Sequence, residues 1–268
     1  MIRRLLALAA LPAMLCSAAP ALAEGNPDQD FRQIAARETF ALKADRAYLL
    51  LRIDTDLFAF SADIMRVPGA DEIASYQAAR SAAYSKAGAK AGPLESFNFK
   101  YEGRPNLFAI MPGKAIASSG KIKTTLVEVV PGDYVVYGLG MREYLYECFC
   151  LGTVGFTAEA GKITDLGTLL TAKAWQPSPI PELKDETGLG RSADMDLGLF
   201  AVAVRRAEAG IPLPPGINPA LVQPASFHAV ASFVEPNTTL INRLAAMPEV
   251  LSYENGRIVD AKSGRKLD

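Results

Sequence analysis

Two cysteines separated by a single residue, Cys148 and Cys150, are the side chains of this sequence with the most evident chemistry. Residues two apart in a β-strand point to the same side with about 6.6 Å between their Cα atoms, near the upper limit for a disulfide. Three uses stay open: a structural disulfide or a pair without special role, a redox-active dithiol, and two thiolate ligands for copper or zinc. Redox activity is disfavoured because Cys-x-Cys lacks the two-residue spacer and helix start of thioredoxin-like sites. A metal would need further ligands, for which His228, Met111 and Met141 are candidates.

The other candidates for chemistry are one histidine and two pairs of aspartates. His228 is the only histidine and could act as a general base. It lies in a strand-like pattern with no acid close by, so a polar-face or satisfied core histidine is favoured. Asp54 with Asp56, and Asp194 with Asp196, lack the further acidic ligands of a calcium loop and are interpreted as solvated strand ends. Because the serine-hydrolase elbow, zinc-protease and phosphate-loop motifs are missing, the sequence predicts no catalytic residue and no cofactor.

The first 23 residues have the three parts of a secretory signal peptide. Met1–Arg4 carries two arginines, residues 5–15 are apolar, and Ala21–Ala23 is a small-residue cleavage signal. The apolar stretch is too short, and too interrupted by proline, to favour a retained membrane anchor. The residue before Cys16 is too large for a lipoprotein signal. We therefore expect cleavage after Ala23 and a periplasmic protein without a transmembrane span in the mature chain, and outer-membrane association stays open.

The charge of the chain limits its partners. The full sequence has 28 lysines and arginines against 29 aspartates and glutamates, and loss of Arg3 and Arg4 with the signal peptide leaves 26 against 29, a net charge near −3. A weakly acidic chain without a long basic block lacks the positive footprint that nucleic acid or an anionic membrane requires. The expected partner is an envelope protein or a small ligand.

Strand patterns dominate the first half of the mature chain. Runs of β-branched and aromatic residues fill 121–169, separated by the turn pairs Pro131-Gly132 and Ala160-Gly161, which predicts a β-meander. The apolar centre at 47–51 predicts a central strand buried on both faces, although its periodicity does not exclude a helix. The segment 57–67 is its expected partner strand.

One segment breaks the strand pattern. Residues 71–90 are rich in alanine, with acids in the first turn and bases toward the end, which predicts a helix. The helix has few large apolar residues, so we interpret it as a structural insertion on the sandwich, with a recognition helix as the alternative. In the next segment, 94–101, Phe97, Phe99 and Tyr101 alternate with polar residues. This alternation predicts a strand with one packed face.

The composition changes beyond residue 170. Eight prolines fall between Pro177 and Pro224, and such segments stay extended and lack donors for a sheet ladder. The segments 197–206 and 225–234 are strand-like, although the first could also be helical. Asn255-Gly256 is the turn pair favoured in a two-residue hairpin.

These patterns predict a mainly β chain: an antiparallel β-sandwich with one helical insertion and a Pro-rich C-terminal extension that adds edge strands. The predicted organisation is a signal peptide at 1–23, a flexible N-terminal segment at 24–39, a β-sandwich domain at 40–170 and an extension at 171–268 that packs on the sandwich.

The meander also resembles a known group of proteins. The motifs are Pro-Gly-Asp-Tyr-Val-Val-Tyr-Gly at 131–138, Gly-x-Val-x-Phe at 152–156 and Ala-Gly-Lys-Ile-Thr-Asp-Leu-Gly at 160–167. They look like those of uncharacterised exported bacterial β-sandwich proteins, which are similar to transthyretin-like, peptidase-regulatory-like modules. The resemblance covers roughly 40–170. It implies a sandwich fold and an exported location, and it implies no catalytic residue.

The sequence thus predicts an exported β-sandwich protein that acts as a non-catalytic binding or envelope-associated module. A soft-metal or thiol-redox protein that uses Cys148 and Cys150 is the first alternative. A hydrolase whose residues meet only in space is the second.

Overall fold

The computed structural model describes residues 30–38, 40–54, 61–140, 148–173, 177–184, 200–208, 211–231, 244–255 and 257–267, and for 139, 140, 148–153, 173, 200 and 201 it describes the backbone alone. The elements in chain order are β1 (Phe31–Gln33), β2 (Ala47–Asp54), β3 (Ser61–Arg66), α1 (Ala70–Ala87), β4 (Leu107–Ile110), β5 (Ala117–Ser119), β6 (Ile122–Val129), β7 (Gly132–Gly140), β8 (Cys148–Ala158), β9 (Ile163–Lys173), β10 (Phe200–Arg205), β11 (Val222–Pro224), β12 (His228–Ala229), β13 (Leu251–Glu254), β14 (Arg257–Asp260) and β15 (Lys266–Leu267). Single 3₁₀ turns lie at Gly88–Lys90, Leu94–Ser96, Pro112–Lys114, Pro181–Leu183 and Pro219–Leu221.

The larger sheet, sheet A, has the order β1-β6-β2-β9-β10, with β5 also beside β6 and β11 also beside β9. Most of its pairs are antiparallel, but β9 runs parallel to both β2 and β11. A parallel neighbour requires a long crossover connection. Here the chain forms α1 and all the strands from β3 to β8 between β2 and β9.

Sheet B has the order β12-β8-β7-β3-β4 and is antiparallel throughout. Alternate residues along each strand share a face of the sheet. The residues on the facing sides of sheets A and B pack together as the main core. Tyr134 of β7 and Phe156 of β8 stack at 5.8 Å between ring centroids, and the Tyr134 hydroxyl donates to the carbonyl of Val130 at 2.7 Å. Other core residues from the two sheets are Ala47, Leu49, Leu51, Ile53, Ala62, Ile64, Phe108, Ile110, Val127, Val129, Val136, Val154, Leu166, Leu169, Val202 and Val204.

Irregular chain covers the outer face of sheet A. Tyr48 and Leu50 of β2 are fully buried there against Ile34 and Ile217, which belong to segments without regular structure. Burial on both faces explains why 47–51 is an uninterrupted apolar run. The prediction of a central strand at this position is confirmed. The predicted pairing of 57–67 with this strand is wrong, because β3 lies in sheet B between β7 and β4.

A third sheet, β13-β14-β15, forms near the end of the chain. Leu251 and Ile258 of this sheet belong to the same core cluster as the inner faces of sheets A and B. β13 and β14 form a hairpin in which Glu254 pairs with Arg257, and Asn255 in its turn has φ of 51°. The hairpin turn predicted from Asn-Gly is therefore confirmed.

Between β3 and β4 the chain leaves the sandwich as a helical excursion, residues 67–106. No residue of α1 is buried. Tyr76 and Tyr84 of α1 pack against the returning chain, with ring centroids 5.6 Å apart for Tyr76–Phe99 and 5.2 Å apart for Tyr84–Phe97. The excursion therefore has an aromatic cluster of its own.

The prediction of a mainly β fold with one helical insertion is confirmed. The predicted meander at 121–169 is wrong, because only β7 and β8 pair with each other, whereas β6 and β9 lie on either side of β2 in sheet A. The predicted antiparallel arrangement is wrong at β9, which runs parallel to β2 and β11. β10 and β12, both from beyond residue 170, lie at sheet edges. The strand predicted at 94–101 is wrong, because the alternating rings pack on α1 and the segment forms a 3₁₀ turn followed by irregular chain. The proposed domain boundaries stay predictions, and the predicted signal peptide lies outside the described residues. Within the described ranges, no helix is both long and apolar enough to span a membrane.

Candidate ligand-binding cleft

The two cysteines lie on β8 in the part described at the backbone level. Cys148 pairs with Gly140 and Cys150 pairs with Gly138 of β7. One strand further, β3 pairs Asp63 with Gly138. The side chains of both cysteines lie outside what the structure describes, so their use for a disulfide, redox chemistry or a metal stays a prediction. The predicted metal ligand Met141 lies outside the described residues as well.

His228 lies on the edge strand β12, opposite Gly155 of β8. Its side chain is exposed, and a Cβ atom built at Gly155 would come within 2.7 Å of its Nε2 atom. Because Gly155 has no side chain, the imidazole of His228 can lie against the sheet at this position. Among the described residues, no carboxylate forms a hydrogen bond or ion pair with His228, and no three residues of the types His, Cys, Asp and Glu gather as a metal site.

Asp54 ends β2, as predicted, but its Oδ1 atom is buried, so the predicted solvation is wrong for that atom. Its presumed partner Asp56, and the second pair Asp194 and Asp196, lie outside the described residues. Among the candidate residues whose side chains are described, the structure brings none together as a metal site.

A cleft of about 570 Å³ opens instead where the sandwich meets the C-terminal sheet. We call it the seam cleft. Its lining combines two cations, one acid, one hydroxyl, one aromatic ring and three small or aliphatic residues: Arg206, Lys262, Glu249, Ser226, Phe227, Ala225, Val250 and Ala261. Ligand sites in proteins typically occupy about 300–1,000 Å³ and combine apolar walls with a few polar groups.

Gly167 positions the Arg206 wall of the seam cleft. It has φ of +78°, and a Cβ atom built on it would lie 2.0 Å from the carbonyl oxygen of Arg205 and 2.9 Å from the carbonyl carbon of Arg206. Only glycine combines this left-handed backbone with such a close approach. The end of β10 therefore packs directly onto the backbone of β9 at this point.

Asp165 positions the second wall of the seam cleft, which residues 225–227 form. Its carbonyl oxygen accepts the N–H of Ala225 at 2.9 Å, and its carboxylate accepts the N–H of Gly167 at 2.9 Å. Arg52 of β2 donates two hydrogen bonds to the same carboxylate, at 2.7 and 3.1 Å. Both side chains of this ion pair are buried, with exposed fractions of 6% and 7%. A bidentate pair has a defined geometry. The buried ion pair therefore orients Asp165, which in turn holds Gly167 and Ala225 beside two walls of the cleft.

The C-terminal sheet supplies the remaining wall. Glu249 adopts a left-handed φ of 65° in the turn before β13, and the carbonyl of its neighbour Val250 accepts the N–H of Ala261 at 3.1 Å. The Asp260 carboxylate accepts the N–H groups of Lys262 and Ser263 at 2.8 and 2.9 Å. The bond from Ser263, followed by that from Lys262, lowers the pKa of Asp260. These bonds hold the turn that carries Lys262.

The seam cleft is amphipathic. Phe227 is partly buried and meets Phe156 of the core edge to face, with 6.0 Å between ring centroids. Arg206 approaches Glu249 at 3.6 Å, beyond hydrogen-bond range. Lys262 forms no ion pair with a described residue. The cleft therefore presents cationic donors beside an aromatic surface.

The residues that line the seam cleft could not be identified from the sequence, because they come from four separate parts of the chain. Arg206 ends a strand-like run, Phe227 lies in an alternating run, and Glu249 and Lys262 flank the hairpin at Asn255. None of them stands out by type or by spacing. The one local signal was the motif at 160–167, which contains Asp165 and Gly167 and which the resemblance links only to a sandwich fold and an exported location.

The helical excursion is a second surface of interest. Among the described residues, the exposed large apolar side chains are all in or beside it: Val67, Ile73, Tyr76, Leu94, Tyr101 and Leu107. Two bidentate pairs attach the excursion to the sandwich. Arg66 donates to both oxygens of Glu72 at 2.6 Å, and Arg104 donates to both oxygens of the buried Asp30. The hydrogen bonds from Arg66 lower the pKa of Glu72 to about 2.

Comparison with known proteins finds no matching family model, no similar curated protein and no similar solved structure.

Proposed function

We propose that the chain is an exported β-sandwich protein that works as a non-catalytic binding module of the periplasm, and that the seam cleft is its ligand site. The observation that carries the proposal is the cleft itself, which has the volume of a small-molecule site and a lining of cations, an aromatic ring and a hydroxyl. The sequence features of Met1–Ala23 support export. The likeness to transthyretin-like modules belongs to the same proposal.

The chemistry of the lining favours capture over turnover. A guanidinium group has five N–H donors and no acceptor, so Arg206 is suited to donate hydrogen bonds to a bound acid group. Arginine and lysine together bind and orient an anionic group. The walls are built on backbone contacts of Asp165 and Gly167, and a preformed site lowers the ordering cost of binding.

The test is a comparison of two tryptophan substitutions in tagged protein recovered from the envelope. Ser226→Trp places a large ring in the seam cleft, whereas Ser119→Trp places the same ring on the exposed edge strand β5. Small molecules released from each protein are identified by mass spectrometry. We expect a compound that is present with the wild type and with Ser119→Trp and absent with Ser226→Trp.

Identical small-molecule profiles for the two variants would contradict the proposal. A reproducible hydrolase activity that disappears in His228→Ala would contradict its non-catalytic part. Export is tested in the same cells, because recovery of the protein with residues 1–23 still attached in the cytoplasm would refute it.

A soft-metal or thiol-redox role for Cys148 and Cys150 is the second candidate. The backbone register favours it, because Cys148 and Cys150 pair with glycines of β7, and Asp63 of β3 pairs with the same glycine as Cys150. Carboxylate and thiolate together are acceptable zinc ligands. Thiol titration with metal analysis tests it on protein from the envelope, and an unchanged function after both cysteines become serine removes it.

A further inference from the structure

We infer that the seam cleft selects small organic anions, whose acid group binds between Arg206 and Lys262 and whose apolar body packs on Phe227. The inference rests on the proposed function, because it names the ligand class of the same site. The ligands of this class share one negative group, such as a carboxylate or sulfonate, attached to an aromatic or aliphatic body.

Arg206 has no tight carboxylate partner among the described residues. Several other arginines of this protein form tight two-point pairs with a carboxylate, as Arg52 does with Asp165 at 2.7 and 3.1 Å. Arg205, one residue before, does the same with Glu182 at 2.5 and 2.7 Å. Arg206 instead has one loose contact with Glu249 at 3.6 Å and is 46% exposed. Its guanidinium donors therefore remain available for a ligand.

The second argument is the contrast between two lysines of the C-terminal hairpin region. Lys266 forms an ion pair with Glu254 at 2.9 Å. Lys262 lines the cleft, and its ammonium group contacts no carboxylate among the described residues. Its backbone N–H is already bound to Asp260, so the turn that presents it is fixed. Lys262 thus supplies a second cation, and no acid within the described residues forms an ion pair with it.

The third argument is the balance of charge and apolar surface. Arg206 and Lys262 together exceed the single carboxylate of Glu249 by one positive charge, which matches a monoanion. Glu249 is 83% exposed, so water screens its repulsion of the ligand. Phe227, Val250 and two alanines form the apolar part of the lining. An acid group without an apolar body would leave that surface in water.

The experiment compares matched probes on the full mature protein by following backbone amide shifts in NMR titrations. The probes are benzoate, benzyl alcohol, benzylammonium and acetate. We expect benzoate to shift the amides of residues 225–227, 249–250 and 261–262. We also expect it to bind at least about tenfold more tightly than benzyl alcohol or acetate. Benzylammonium should not bind.

Four variants test which side chains contribute to benzoate binding. Arg206→Gln and Lys262→Gln should each weaken benzoate about tenfold, whereas Glu249→Gln should strengthen it several-fold because it removes the competing carboxylate. Lys266→Gln is the matched control and should change the affinity less than about twofold, because its side chain belongs to a separate exposed pair.

Two outcomes distinguish a failure of the anion selectivity from a failure of the proposed ligand site. If benzyl alcohol or benzylammonium shifts the cleft amides as strongly as benzoate, the anion class is refuted and the cleft remains a binding site. If no probe shifts those amides, the inference and the proposed ligand site fail together.

Discussion

Removal of the negative charge at Asp165 should destabilise the protein far more than removal of a typical surface charge. In Asp165→Asn the side-chain oxygen can still accept the N–H of Gly167, so the local turn keeps its acceptor. Arg52 then keeps a positive charge in a site where its side chain is only 6% exposed. Loss of one partner from a buried ion pair typically costs about 3–5 kcal/mol, and we expect Asp165→Asn to fall in that range.

A double-mutant cycle tests the reasoning. Arg52→Met removes the buried cation, and the combination Arg52→Met with Asp165→Asn leaves no uncompensated charge. Free energies of unfolding from urea titrations should give a coupling energy of at least about 2 kcal/mol, because the double variant recovers much of the loss. The exposed pair of Lys100 and Glu102, with 85% and 76% exposure, provides the control. Glu102→Gln should change stability by less than about 0.5 kcal/mol.

Additive losses in this cycle would refute the view that the two side chains act as a unit. A cost for Asp165→Asn no larger than that of Glu102→Gln would refute the buried-charge argument itself. The same variant also connects stability to the site, because Asp165 accepts the N–H of Ala225 with its carbonyl oxygen and the N–H of Gly167 with its carboxylate. We therefore expect Asp165→Asn to weaken benzoate binding under conditions in which the protein remains folded.

Two further predictions concern the attachment of the excursion and the walls of the cleft. The pKa of Glu72 is lowered from 4.5 to about 2 by Arg66, so its stabilising contribution is present above about pH 4.5 and is lost as the pH falls toward 2. The stability difference between wild type and Glu72→Gln in urea titrations, roughly 2 kcal/mol at neutral pH, should shrink across that window, and a constant difference would contradict the assignment. Gly167→Ala should cost more than about 2 kcal/mol by the same measurement, because its Cβ meets the Arg205 carbonyl at 2.0 Å at positive φ. The control Gly113→Ala, where nothing lies within 4 Å, should change little, and equal effects of the two alanines would contradict the close-approach argument.

Much of the sheet structure was predictable because burial leaves a local pattern. The run at 47–51 is apolar on every residue because β2 has the core on one face and irregular chain on the other. The pairing of β2 with β9 in parallel was not predictable, because the two strands are separated by six other strands in the chain. Local periodicity contains no information on which distant strand becomes the neighbour.

The wrong strand at 94–101 has a physical reason. Alternation of Phe97, Phe99 and Tyr101 shows that one side of an extended segment is packed, and it does not identify the packing partner. Here the partner is a pair of tyrosines on α1, and the rings of Phe97 and Phe99 stack parallel at 6.2 Å between centroids. A period of two is therefore evidence for extended chain and is only indirect evidence for a sheet.

The seam cleft was not predictable from the sequence for a related reason. Arg206, Phe227 and Lys262 are ordinary residues in three separate segments, and their proximity depends on how the C-terminal sheet joins the core. The buried pair of Arg52 and Asp165 is also invisible in sequence, since the partners are 113 residues apart. Tertiary contacts of this kind are set by the global packing of the sheets.

A crystal of the protein soaked with a bromobenzoate shows whether the seam cleft binds an organic anion. Bromine is located by its anomalous scattering. We expect a bromine peak in the seam cleft beside Phe227, with the carboxylate between Arg206 and Lys262. Peaks confined to the exposed aromatic rings of the helical excursion, or no peak at all, would contradict it.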